Sequence, residues 1–149
     1  MIYLVSKRRI YSNKAGGKRG YYISVPSEYS QNKEYKFFLF ARIDTKGEEM
    51  YDWFGQGWGT VTGLEALMNN TIFAYLDQKY IWDGDKGWAL GNYGGDYKGI
   101  RDIQVVTELL KLIKSNYSID NNLIFVTGHS WGGDMVKWWN TILLYSLSS

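Results

Sequence analysis

Apolar residues in this chain fall into short unbroken runs separated by polar, glycine-rich stretches. Tyr21-Tyr22-Ile23-Ser24-Val25 is rich in strand formers and stops at Pro26, the only proline. Phe37-Phe38-Leu39-Phe40-Ala41, Thr71-Ile72-Phe73-Ala74-Tyr75-Leu76 and Leu123-Ile124-Phe125-Val126-Thr127 are apolar almost throughout. Runs of that kind predict strands covered on both faces, the signature of a parallel sheet. Gly63 to Met68 holds good helix formers and predicts a short helix ending at Asn69-Asn70. Ile103, Val106, Leu110, Ile113 and Tyr117 recur at three- and four-residue steps, one apolar face of a helix over about 100–116. Residues 118–122 read as a turn, 42–63 and 77–99 as loops. A last helix is expected from Trp131 or Gly132. Buried strands alternating with helices predict an α/β fold, its sheet mostly parallel and its crossovers right-handed.

Composition narrows the function classes. With 149 residues and 45% hydrophobic content, the chain suits a single domain with one core. A formal charge of +2 argues against nucleic acid or an anionic membrane as partner. The basic residues Lys7, Arg8, Arg9, Lys14, Lys18 and Arg19 read as solvated loop charges. Cysteine is absent, which rules out disulfides and thiolate metal sites. No signal peptide is visible, since Met1 to Val5 is too short and its positive charges follow it. No apolar run approaches the roughly 20 residues that span a bilayer.

The chemistry centres on Gly128-His129-Ser130-Trp131-Gly132-Gly133, directly after an apolar strand. A serine hydroxyl must stand clear of the backbone to attack a carbonyl. A strand–Gly-x-Ser-x-Gly–helix turn achieves that, and its glycines leave room for the tight bend. Ser130 is therefore the expected nucleophile. The backbone N–H of Trp131, the next residue, is the expected oxyanion donor. His129 is the only histidine. Adjacent side chains in such a turn point apart, so it is read as a packing residue and not as the general base.

Residues 124–135, from Ile124 through the Ser130 elbow to Met135, resemble the nucleophile region of feruloyl esterases and polyhydroxybutyrate-depolymerase-like enzymes. These belong to carbohydrate esterase family one and have the α/β-hydrolase fold. Tyr22-Ile23-Ser24-Val25-Pro26-Ser27-Glu28-Tyr29 resembles the opening strand of that family. Gly87-Trp88-Ala89-Leu90 and Gly99-Ile100-Arg101-Asp102-Ile103-Gln104 resemble its loop and helix before the elbow. Asn116-Tyr117-Ser118-Ile119-Asp120 resembles its Tyr-x-Ile-Asp turn. The resemblance runs over about residues 20–138. It implies an extracellular carboxylic-ester hydrolase that needs no cofactor. Its substrates would be ferulate or acetate esters of plant cell-wall polysaccharide, or a polyester.

Two departures stand against that pattern. Where the family carries His-Gly after the second buried strand, this chain has Phe40-Ala41-Arg42-Ile43-Asp44. A backbone amide at Arg42 is then the candidate for the second oxyanion donor. In this fold the triad order is Ser, then Asp or Glu, then His, and no histidine follows His129. The expectation is a single α/β-hydrolase-like domain over 1–149, truncated at its C-terminus: an incomplete, mostly parallel sheet ending after the nucleophile-elbow helix. The acid and base would lie in a missing C-terminal half, leaving this chain inactive alone.

A second reading is a non-catalytic carbohydrate-binding or degenerate esterase homologue. Aromatic residues make up 17% of the chain. Trp53, Trp58, Trp82, Trp88 and Tyr93 lie in its loops and would stack on sugar rings. Trp58 and Trp88 are the candidate substrate-binding residues. Asp77, Asp83, Asp85 and Asp96 match no EF-hand spacing and read as turn formers, so no metal site is expected.

Overall fold

The computed structural model describes residues 2–12, 17–42, 46–80, 86–87 and 102–129. In chain order they form β1 (Tyr3–Ser12), β2 (Gly17–Pro26), β3 (Tyr35–Arg42) and α1 (Gly47–Met50). A π-helical turn, Tyr51–Gln56, continues α1. Then come β4 (Gly57–Trp58), β5 (Val61–Thr62), α2 (Leu64–Leu67), β6 (Thr71–Leu76), β7 (Lys79–Tyr80), β8 (Lys86–Gly87), α3 (Asp102–Asn116) and β9 (Ile119–His129).

Five strands make the main sheet, in the order β1-β2-β6-β3-β9. The expectation of a mostly parallel sheet is wrong. β1 with β2 and β2 with β6 are antiparallel; only β3 with β6 and β3 with β9 are parallel. The sheet is mixed. One antiparallel pairing comes from β1, which the sequence reading treated as a short apolar start and a solvated basic loop. Only four residues, 13–16, separate β1 from β2, and so short a link joins antiparallel neighbours. Lys7, Arg8 and Arg9 are strand residues opposite Tyr22, Tyr21 and Gly20. β1 lies at the end of the strand order, where charged side chains discourage pairing with other chains.

The sheet is covered on both faces, as its apolar runs require. Alternate residues of β2, β3 and β6 point to opposite sides. Tyr21, Ile23, Phe37, Leu39, Ile72, Ala74 and Leu76 pack with Val105, Val106, Leu109, Leu110 and Ile113 of α3. On the other face Phe40, Phe73 and Tyr75 pack with Met50, Phe54 and Leu64 from α1, the π turn and α2. β6, buried at every residue, is the spine of both cores.

β9 starts earlier than the sequence suggests. Tyr35 pairs with Ile119, but Phe37 pairs with Ile124, so β9 carries extra residues between the two pairings. The expected turn sits inside this irregularity. Asp120 Oδ1 accepts the Asn122 N–H at 2.8 Å, the local bond that makes Asp-Asn stretches turn.

Candidate active site

Ligands of sheets with parallel strands gather at the carboxyl ends of those strands. Here these ends are Arg42, Leu76 and His129. β3 and β9 run in unbroken register from Phe37↔Ile124 to Arg42↔His129. Arg42 is thus the direct neighbour of the residue that precedes Ser130. The expected nucleophile Ser130, the expected donor Trp131 and the candidate Trp88 lie outside the described residues, as do Asp83, Asp85 and Asp96.

Trp58 is described and is strongly solvent-exposed, at 79%. It sits on the separate β4–β5 ladder opposite Val61, itself exposed. Asp77 follows β6, and its Oδ1 accepts the Gly47 N–H at 2.6 Å. Among the described residues no group of three His, Asp or Glu side chains could hold a metal ion. None of their helices is long and apolar enough to cross a membrane.

The sequence reading missed two buried polar groupings. The first is Arg19, which it placed in a solvated loop. Arg19 is 2% exposed, and its Nη1 lies 2.8 Å from Oδ1 of the fully buried Asp102 at the start of α3. The same nitrogen reaches the Asp77 carbonyl at 3.3 Å. Period-two alternation was the available signal: Arg19, Tyr21 and Ile23 share one face of β2, and all are buried.

The second grouping surrounds Glu65, a buried acid on α2. Ser24 Oγ donates to its Oε1, and Tyr75 OH donates to its Oε2 at 2.6 Å. Nearby, Tyr3 OH donates to the Met68 carbonyl at 2.6 Å. A cavity of about 170 Å³ opens beside the carboxylate, lined by Tyr3, Tyr51, Gly55, Gln56, Glu65 and Ala66. Burial raises the Glu65 pKa, and the bonds from Ser24 and Tyr75 offset this only in part. Burial, reinforced by the Glu65 charge, pushes Tyr3 up to about 12 and moves Tyr75 higher still. No local pattern announces Glu65. It is buried while its helix neighbour Leu67 is 65% exposed, the reverse of the usual assignment.

A stability prediction follows from the direction of that shift. The folded state holds the Glu65 proton more tightly than the unfolded chain does. Stability from this group is therefore full below the ordinary glutamate pKa of 4.5 and is lost as pH rises through the higher folded value. Urea midpoints of Glu65→Gln, measured from about pH 4 to about pH 8, should lack this component of the decline. A wild type and variant with parallel pH profiles would show that folding does not shift the Glu65 pKa.

No family model matches the chain. Among curated proteins, feruloyl esterase D of Neurospora crassa is 29% identical over 129 residues, covering 83% of this chain and 41% of its own length. The chain thus spans about two fifths of the length of that relative. Among solved structures, an S-formylglutathione hydrolase from Staphylococcus aureus superimposes with a TM-score of 0.65 at 12% identity, over 89% of this chain and 50% of its own. An acetyl xylan esterase from Aspergillus awamori gives 0.63 at 17% identity, over 90% and 46%. The chain shares the fold of these esterases. Its sequence homology to feruloyl esterases is weak and selects no one family.

Proposed function

We propose that this chain is the nucleophile-bearing part of a serine carboxylic-ester hydrolase acting outside the cell on acyl esters of plant polysaccharide. Ser130 is the nucleophile. The N–H of Trp131 and a backbone amide at Arg42 are the oxyanion donors. Trp58 and Trp88 are the aromatic surfaces that meet the sugar or the aromatic acyl group. No cofactor enters the reaction.

One observation carries this reading: the β3–β9 register that sets Arg42 beside His129, the residue before Ser130. A nucleophile leaving β9 and an amide leaving β3 then emerge from adjacent strand ends, as an oxyanion site requires. The likeness to feruloyl esterase D supports the feruloyl version of the substrate. The single histidine adjoins Ser130, so the general base and its acid come, in this reading, from residues outside these 149.

The test uses p-nitrophenyl acetate, whose leaving group departs as the anion and needs no proton donor. Ser130 Oγ forms a bond to the acetyl carbonyl carbon, the acyl C–O bond to the phenolic oxygen breaks with its electron pair going to p-nitrophenolate, and the serine proton goes to solvent. The oxyanion donors alone leave slow residual acylation when the base is absent, so mass spectrometry after long incubation should show an acetyl adduct at Ser130 in wild type and none in Ser130→Ala. Equal p-nitrophenol release by the two proteins, with no adduct, would sink the proposal. Trp58→Ala should acetylate normally with this small ester but react more slowly with a feruloylated oligosaccharide.

A further inference from the structure

We propose that the cavity between the β1–β2 pair and the last turn of α3 is a binding site for a small carboxylate carried on a ring-sized body. The site is independent of the esterase reading above, since none of its residues takes part in that reaction. The cavity measures about 330 Å³, within the range of small-molecule sites, and is lined by Arg8, Tyr21, Ile23, Ile113, Asn116 and Tyr117. Two periodicities bring these residues together. Arg8 and Tyr21 are direct partners across the β1–β2 ladder, so their side chains share a face, and Ile23 follows Tyr21 at period two. Ile113, Asn116 and Tyr117 stand at i, i+3 and i+4, and the Tyr117 N–H donates to the Ile113 carbonyl at 2.8 Å, carrying the helical turn one residue past α3.

The donors at this cavity are short of acceptors. Tyr21 is 5% exposed, yet its hydroxyl has no hydrogen-bond partner among the described residues. The hydroxyl of half-buried Tyr117 has none among them either. Buried hydroxyls are almost always satisfied, so an open one beside a cavity points to what fills it. Arg8 is exposed and forms the rim. Its Nε donates to Ser6 Oγ at 3.1 Å, and no carboxylate among the described residues pairs with it, which leaves both Nη groups for a ligand. Burial raises the Tyr21 pKa and the Arg8 charge lowers it, so the phenol lies within the field of the guanidinium and remains a donor at neutral pH.

One guanidinium and two phenol O–H groups select an anion, and a carboxylate matches the guanidinium by accepting two parallel N–H bonds. The surrounding charge has the right sign: residues 1–27 carry Lys7, Arg8, Arg9, Lys14, Lys18 and Arg19 and no Asp or Glu. The carbonyls at the end of α3 oppose an anion, but Ser115 Oγ and Asn116 Nδ2 both donate to the Leu112 carbonyl, and Lys114 lies in the same turn. Buried Ile23 and Ile113 form an apolar floor. A bare inorganic anion would leave that floor uncovered, whereas a ring bearing the carboxylate covers it.

Titration of the isotopically labelled chain, followed by amide chemical shifts, tests the site with benzoate and glucuronate, which separate an aromatic acid from a sugar acid. At least one should shift the amides of Arg8, Tyr21, Asn116 and Tyr117 to saturation. Arg8→Met should weaken that binding by about 10- to 100-fold, and Tyr21→Phe, which keeps the buried ring, by about tenfold. Lys7 pairs with Tyr22 on the opposite face, so Lys7→Met should change the affinity by less than about threefold. The uncharged counterparts, benzamide and glucose, should bind at least about tenfold more weakly than the acids. Binding of neither carboxylate would overturn the proposal. Binding that Arg8→Met and Tyr21→Phe both leave unchanged would overturn it as well, by placing the contact elsewhere on the basic strands. Inorganic phosphate binding as tightly as the ring carboxylate would do the same, by showing a general anion patch.

Discussion

Arg19→Met is expected to cost about 3–5 kcal/mol of folding stability, measured by urea unfolding. The substitution removes the cation from a fully buried carboxylate, that of Asp102, and leaves an apolar stem in its place. Breaking such a pair from one side costs more than the pair is worth, because the remaining charge stays desolvated. The same change deletes the Nη1 contact to the Asp77 carbonyl, so β2 loses its side-chain tie to the end of β6. Arg19→Lys separates the two effects. A lysine keeps the charge, but its side chain ends one atom short of the Nη1 position that serves both Asp102 and Asp77, so an intermediate loss is expected. A loss below about 1 kcal/mol in Arg19→Met would show that the pair is reached by water and behaves like a surface ion pair.

Phe37→Ala should be as damaging, at about 3–5 kcal/mol. Phe37 is 1% exposed and lies opposite both Ile72 and Ile124. It belongs to the core between the sheet and α3, where a missing ring leaves a cavity that three neighbouring strands cannot close. Phe125, one residue further on in β9 and 40% exposed, provides the comparison. Phe125→Ala should cost clearly less. Equal losses would mean that the two faces of the sheet at this edge are covered alike.

These two residues mark the limits of sequence reading in opposite ways. Phe37 sits in a continuous apolar run, and a run of that kind is legible because both faces of the sheet demand the same residue type. β6 falls on the predicted Thr71–Leu76 for the same reason, and α3 follows its apolar stripe to Asn116. Arg19 was illegible because its charge and flanking glycines outweighed the alternation that continued back from Tyr21 and Ile23. β1 was missed because it lies at an end of the strand order and buries only Ile10 among its large apolar residues. Missing β1 also hid one of the two antiparallel pairings. At the candidate site, Ser130 was expected from the glycine spacing and the apolar strand before it, and it lies outside the described residues. The bond from Gly47 to Asp77 was not legible, since the two are 30 residues apart and meet only once β6 lies beside β2 and β3.

The irregularity in β9 bears on how such a chain tolerates changes of length. From Phe37↔Ile124 onward every residue of β9 is committed to a partner on β3. Removing one residue between Ile124 and His129 would turn each later side chain to the opposite face and send the chain leaving β9 to the wrong side. Between Ile119 and Ile124 no such commitment exists, because the extra residues there answer to nothing on β3. This stretch is an expansion joint. Insertions and deletions among descendants of this sequence should collect there, while the six positions before Ser130 keep their count.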